Sequence, residues 1–71
     1  MGWWNNKRNK RWAKKLGWTP SWFSATGFDD ELASNIKAFQ TAHGLTPDGL
    51  CGPMTFRRII TEREANRAES Y

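Results

Sequence analysis

Few side chains in this chain could do covalent or acid–base chemistry, and none is arranged for it. His43 is the sole histidine and Cys51 the sole cysteine. No serine or cysteine has a base at the spacing that nucleophilic catalysis needs, and no glycine-rich loop precedes a basic residue to cradle phosphate. His43 has no second histidine, carboxylate or cysteine at ligand spacing, so no metal set forms. Asp29, Asp30 and Glu31 cluster at the expected start of a helix, where capping and the macrodipole account for them. Asp48 stands alone in an Asp-Gly turn, where its carboxylate can accept N–H bonds from its own loop or meet a ligand. The sequence therefore predicts no catalysis and no cofactor. What remains is binding chemistry, in polar groups around Asp48-Gly49 and in the aromatic and cationic side chains crowded into the first third.

The Asp48 turn must be held by the elements on either side, over Ile36 to Ile59. Gly44 follows His43 where a helix needs a left-handed residue to stop. Thr46-Pro47-Asp48-Gly49 is turn chemistry, with Pro presetting φ and Gly supplying φ > 0. Gly52-Pro53 opens the next helix, with Pro at its first position. Only Leu45, Leu50 and Cys51 can reach a core from this segment, and Cys51 reads as a buried structural thiol. Gln40 flanks the turn, free to bond the loop backbone or to meet a ligand.

Phe39-Gln40, Gly44-Leu45, Asp48-Gly49, Gly52-Pro53, Thr55 and Phe56 together spell FQ-x-x-x-GL-x-x-DG-x-x-GP-x-T-[aromatic]. This pattern resembles the peptidoglycan-binding domain of the three-helix type, found on many cell-wall hydrolases. Gly17-Trp18 looks like the Gly-aromatic pair that ends the first helix of that family. Residues 25–29 stand where a second DG-x-x-G loop would be expected and lack its Asp-Gly pair. The resemblance implies non-catalytic binding of bacterial peptidoglycan, by a monomer. Contacts would come from Asp48, Gly49, Gln40, Thr55 and the loop amides, with ring stacking by Phe56, Trp18 or Trp22.

Charge is segregated. Lys7, Arg8, Lys10, Arg11, Lys14 and Lys15 lie in residues 1–18 without an acid, whereas residues 19–71 hold five basic and seven acidic side chains, giving the net +4. All five tryptophans, Trp3, Trp4, Trp12, Trp18 and Trp22, fall in the first 22 residues. A first helix over about 6–15 is expected, capped by Asn5 or Asn6 and stopped by Gly17. Three readings of this segment stand. It is a solvated helix face with Trp12 in the core. Alternatively it is an interaction segment in which Lys7, Arg8, Lys10 and Arg11 meet an anionic membrane, such as the outer-membrane surface, with Trp3 and Trp4 as anchors. Nucleic acid is a third reading, since cations interleaved with aromatics suit phosphate and bases, but no nucleic-acid motif accompanies them.

Length allows one small domain, 1–71, which buries only about 60% of its unfolded surface. Residues 17–29 carry Trp18, Trp22, Phe23 and Phe28, which either cover the helix ends or leave a Trp open for sugar stacking. Leu32, Ile36, Phe39 and His43 form one stripe of a second helix over 30–43. A third helix over about 53–66 runs into a tail or linker at 66–71. The fold expected is an all-α three-helix bundle, with the last two helices an antiparallel pair joined by the Asp48-Gly49 loop. No apolar run is long enough to span a membrane, and no signal-peptide core is present. Synthesis in the cytoplasm is expected, with action at the cell wall if the chain is the targeting module of a phage endolysin.

Overall fold

The computed structural model describes the backbone of residues 2–69 and the side chains of residues 4–65. Its helices are α1 (Gly2–Leu16), α2 (Asp30–Ala42) and α3 (Pro53–Glu69), with a short 3₁₀ turn at Pro20–Phe23. The fold is all-α, as the sequence predicts. The expected tail at 66–71 is helical as far as Glu69, while the side chains of Trp3 and of residues 66–69 and all of residues 70–71 lie outside the described residues.

The helix ends follow from local chemistry. Asp29 caps α2, its Oδ1 accepting from Leu32 N at 3.0 Å. At the other end Gly44 takes φ 70°. Leu45 N then donates to Gln40 O at 2.8 Å and Gly44 N to Thr41 O at 3.3 Å. This paired return of N–H groups is a Schellman stop, which satisfies carbonyls that the helix leaves open. Gly17, at φ 94°, ends α1 with its N–H on Ala13 O. Ser24 closes the 3₁₀ turn at φ 58°, a left-handed non-glycine position that no sequence signal marked.

The expected start of α1 is corrected. Asn5 and Asn6 do not cap it; the helix begins at Gly2 and both lie inside it. Asn5 Nδ2 reaches Asp48 O at 3.1 Å and Asn6 Nδ2 reaches Asp30 Oδ1 at 3.4 Å. Both side chains donate through Nδ2 to tertiary acceptors, where a cap would have accepted a backbone N–H through Oδ1.

The core is made by Ala13, Trp18, Phe23, Ala25, Leu32, Ile36, Cys51 and Ile59. Edge-on rings tie it together, Trp18 on Phe23 with centroids 5.6 Å apart and Phe23 on Phe39 at 5.7 Å. Such pairs add about 0.5–1.5 kcal/mol each beyond the area they bury. The aromatics of residues 17–29 thus mostly cover the helix ends.

The helix pairing differs from the expected antiparallel pair. Backbones approach closely between α1 and α2 and between α2 and the 3₁₀ turn. Side-chain contacts join Gln40 to Thr55, and His43 to Arg58 and Glu62. Along these contacts both helices advance together, so α3 crosses the C-terminal end of α2 instead of running back along it. His43 Nδ1 lies 3.4 Å from Arg58 Nε and 3.6 Å from Glu62 Oε1.

Two glycines of the loop differ in what they require. Gly49 has φ 77°, and a Cβ there would stand 3.3 Å from Ala33 O and 3.4 Å from Asn5 Nδ2. Gly52 does not share this need, since its φ is outside the left-handed region and a Cβ would rest 3.5 Å from the Trp12 ring. Gly49→Val is expected to cost roughly 1–3 kcal/mol or more in urea unfolding, through left-handed strain and the close approach to α2. Gly52→Ala should leave the midpoint nearly unchanged, and equal losses at both positions would contradict this difference.

Cys51 is fully buried, and burial pushes its thiol from the ordinary 9.0 up to about 12. The thiol is therefore neutral and inert at physiological pH. Its contribution to stability is complete below pH 9.0 and is lost as pH rises towards about 12, because the unfolded chain gives up the proton first. Iodoacetamide should label Cys51 only as fast as the domain unfolds, and the alkaline loss of stability should shrink in Cys51→Ala. Rapid labelling of the native protein would refute the burial.

Candidate functional site

The turn that joins α2 to α3 has no regular structure of its own, so its backbone groups must find partners elsewhere. They find them in side chains from three directions. Asp48 O accepts from Asn5 Nδ2 and Gly49 O from Asn9 Nδ2, the latter at 2.9 Å. Leu50 O accepts from Gln40 Nε2 at 2.9 Å, and Cys51 O from the indole Nε1 of Trp18 at 3.1 Å. The amides are equally committed. Gly49 N donates to Gln40 Oε1, Leu50 N to Asp48 Oδ1 and Cys51 N to Asn9 Oδ1, each at 2.9 Å. Asp48 N donates to Thr46 O.

Gln40 is the centre of this arrangement. Its two Nε2 protons are shared among Asp48 Oδ1, Leu50 O and Thr55 Oγ1, all at 2.9 Å. It is 1% exposed, and Asn9 beside it is fully buried. A buried amide with every polar atom engaged fixes one geometry, because any other leaves groups unpaired in a region without water.

This geometry divides the sequence-predicted site residues. Gln40, Asp48, Gly49 and Thr55 come together, and Trp18 joins them through Cys51 O. Yet Gln40, Thr55 and Trp18 are 5% exposed or less, and Gly49 is buried. Their polar atoms are engaged inside the molecule, where they form the frame of the turn. Asp48 stays exposed, with Oδ1 turned inward.

Trp22 and Phe56 are placed differently. They are half-buried and stack face to face, with centroids 5.9 Å apart and planes 11° from parallel. The Arg63 guanidinium lies over the Trp22 ring at 4.2 Å, a cation–π contact. Phe56 also borders an open, mostly apolar groove of about 420 Å³ with Pro53, Met54, Arg57, Ile60 and Thr61. Met54 is 75% exposed there. Sequence reasoning found the two rings but missed Arg63, Arg57 and the groove, because charged ends of helices read as solvated. It also missed Asn9. The signal was present: Asn5, Asn9, Trp12 and Leu16 recur on one face, and an asparagine among apolar positions indicates a buried amide. Among the described residues no group of three or more His, Cys, Asp or Glu side chains could hold a metal ion.

Gln40→Glu tests the frame. The near-isosteric carboxylate keeps the acceptor for Gly49 N but turns a donor into an oxygen facing three oxygens. A loss of about 2–4 kcal/mol in urea unfolding is expected, and an unchanged midpoint would show that the clamp is dispensable.

Comparison with known proteins falls on the same segment. No curated protein and no solved structure matches the chain. The family model for the peptidoglycan-binding domain matches residues 11–59. That match takes in Trp18, the Schellman stop, the clamped turn and the first turns of α3. It describes a binding domain, not a catalytic one. Matched over well over half its length, and along the segment that builds the Gln40 clamp, this chain belongs to the peptidoglycan-binding domain family.

Proposed function

We propose that the domain holds peptidoglycan on the surface made by Trp22, Phe56 and the adjoining groove of α3, and that it serves as the targeting module of a cell-wall hydrolase. The observation that carries this reading is the Trp22–Phe56 stack, half exposed beside Arg63 and Arg57. Sugar rings present C–H faces that settle on aromatic planes. Stem peptides present carboxylates, which a guanidinium can meet with paired hydrogen bonds. Asp48 lies outside this stack and contributes by holding the loop.

A groove this open covers little of any ligand, so affinity for a single wall unit should be weak. Weak binding suffices for a module tethered to an enzyme, since the tether raises the enzyme's effective concentration at an insoluble substrate. A phage endolysin, which works on the wall from inside the cell, is the hydrolase we propose.

Sedimentation with purified sacculi tests the surface. Trp22→Ala with Phe56→Ala should weaken binding by at least about tenfold, near 1.4 kcal/mol, while helical circular dichroism persists. Wild-type binding by the folded double variant would move recognition elsewhere, Asp48 being the next residue to replace.

A further inference from the structure

The face of α1 turned away from the core is used by neither the clamp nor the Trp22–Phe56 surface. Trp4, Arg8, Arg11 and Lys15 recur at i, i+4, i+7 and i+11 and so lie in one row along the helix. Lys7, Lys10 and Lys14 lie beside that row. All seven are exposed, and Trp4 is 66% exposed. No acidic residue occurs in α1. Asp30 approaches only the flank of the helix, where Asn6 Nδ2 meets it. Trp12 and Leu16 are half-buried against the core, and Asn5 and Asn9 are fastened to the loop.

We infer that this face docks the domain on a bilayer surface carrying anionic phospholipid. Charge complementarity supports it: six cations with no acid among them face outward, whereas the remainder of the chain is net acidic. Each Lys or Arg near an anionic leaflet adds to the attraction. A lone Trp at the end of the row supplies an indole, which settles at the headgroup level with its ring inward and its N–H towards water. The rigid fastening of α1's inner face matters as well, because the helix is already formed and loses little freedom on docking. Sequence-independent nucleic-acid surfaces place aromatics between their cations inside a groove. This face is convex and bears one described aromatic, at its end. The inference does not depend on where peptidoglycan binds.

The test uses Arg8, Lys10, Arg11 and Lys14, all changed to Gln, which leaves the Lys15–Trp12 contact at 5.7 Å in place. The wild-type domain should sediment with phosphatidylcholine vesicles containing phosphatidylglycerol and leave pure phosphatidylcholine vesicles unbound. The four-Gln variant should bind the anionic vesicles at least about a hundredfold more weakly, yet sediment with sacculi as the wild type does. Trp4→Ala should weaken vesicle binding several-fold with the salt dependence unchanged. Equal binding to neutral vesicles overturns the inference, as does a four-Gln variant that binds as the wild type does. Tighter binding to duplex DNA or to lipopolysaccharide than to the anionic vesicles at 0.15 M salt overturns it too. Failure of the Trp22–Phe56 variant in the sacculus assay bears only on the peptidoglycan surface, so the two readings fall separately.

Discussion

The buried carboxamide of Gln40 is the contact on which the rest of this small domain depends. A turn of irregular backbone runs from the surface at Asp48 into the interior at Gly49 and Cys51, and the polar groups of its buried part must be met by a donor or an acceptor. Gln40 meets the turn from α2, Asn5 and Asn9 meet it from α1, and Trp18 meets it from the segment between them. The turn is thereby the place where the three helices are joined. Because Thr55 is bonded to the same amide, the first turn of α3 is fixed with it. A chain this short has little apolar area to bury. Here a saturated hydrogen-bond frame does much of what a larger core does elsewhere, namely select one packing over its neighbours.

The frame also explains the character of the ligand surface. The amides of residues 48–51 are all engaged within the molecule. What the frame leaves towards the surface is the stack of Trp22 and Phe56 with the arginines near it. The family motif can therefore be read as a folding motif first. Its Gln40, Gly49 and Thr55 are buried in building the turn, while its Asp48 stays exposed and its terminal aromatic is half-buried at the surface.

The helix α1 has two faces with separate duties. The inner face carries asparagines that act as ligands of the turn, together with Trp12, which packs over Gly52. The outer face carries cations and Trp4. Since the outer side chains take no part in the hydrogen bonds of the clamp, their charge can vary without loosening the fold. Such independence lets one helix hold a domain together and present a field to an anionic surface.

The sequence by itself determined the helix class, the stops at Gly17 and Gly44, the Asp29 cap and the left-handed glycine at 49. Each is a local matter, set by the backbone preferences of one or two residues. It also marked Gln40, Asp48, Thr55 and Phe56 as belonging together, through spacing and family resemblance. Tertiary structure alone decided what each of them does. Whether a glutamine on a helix flank bonds a loop or a ligand depends on what folds over it, and here α1 and the turn close over Gln40 completely. Asn5 could have capped a helix; the nearness of Asp48 O made it a tertiary donor instead. Trp18 and Trp22 look alike in sequence, four residues apart, yet one is sealed under Cys51 O and the other lies open against Phe56. Burial is a property of the whole packed chain, and local sequence carries no record of which ring the loop will seal and which the last helix will leave half-buried.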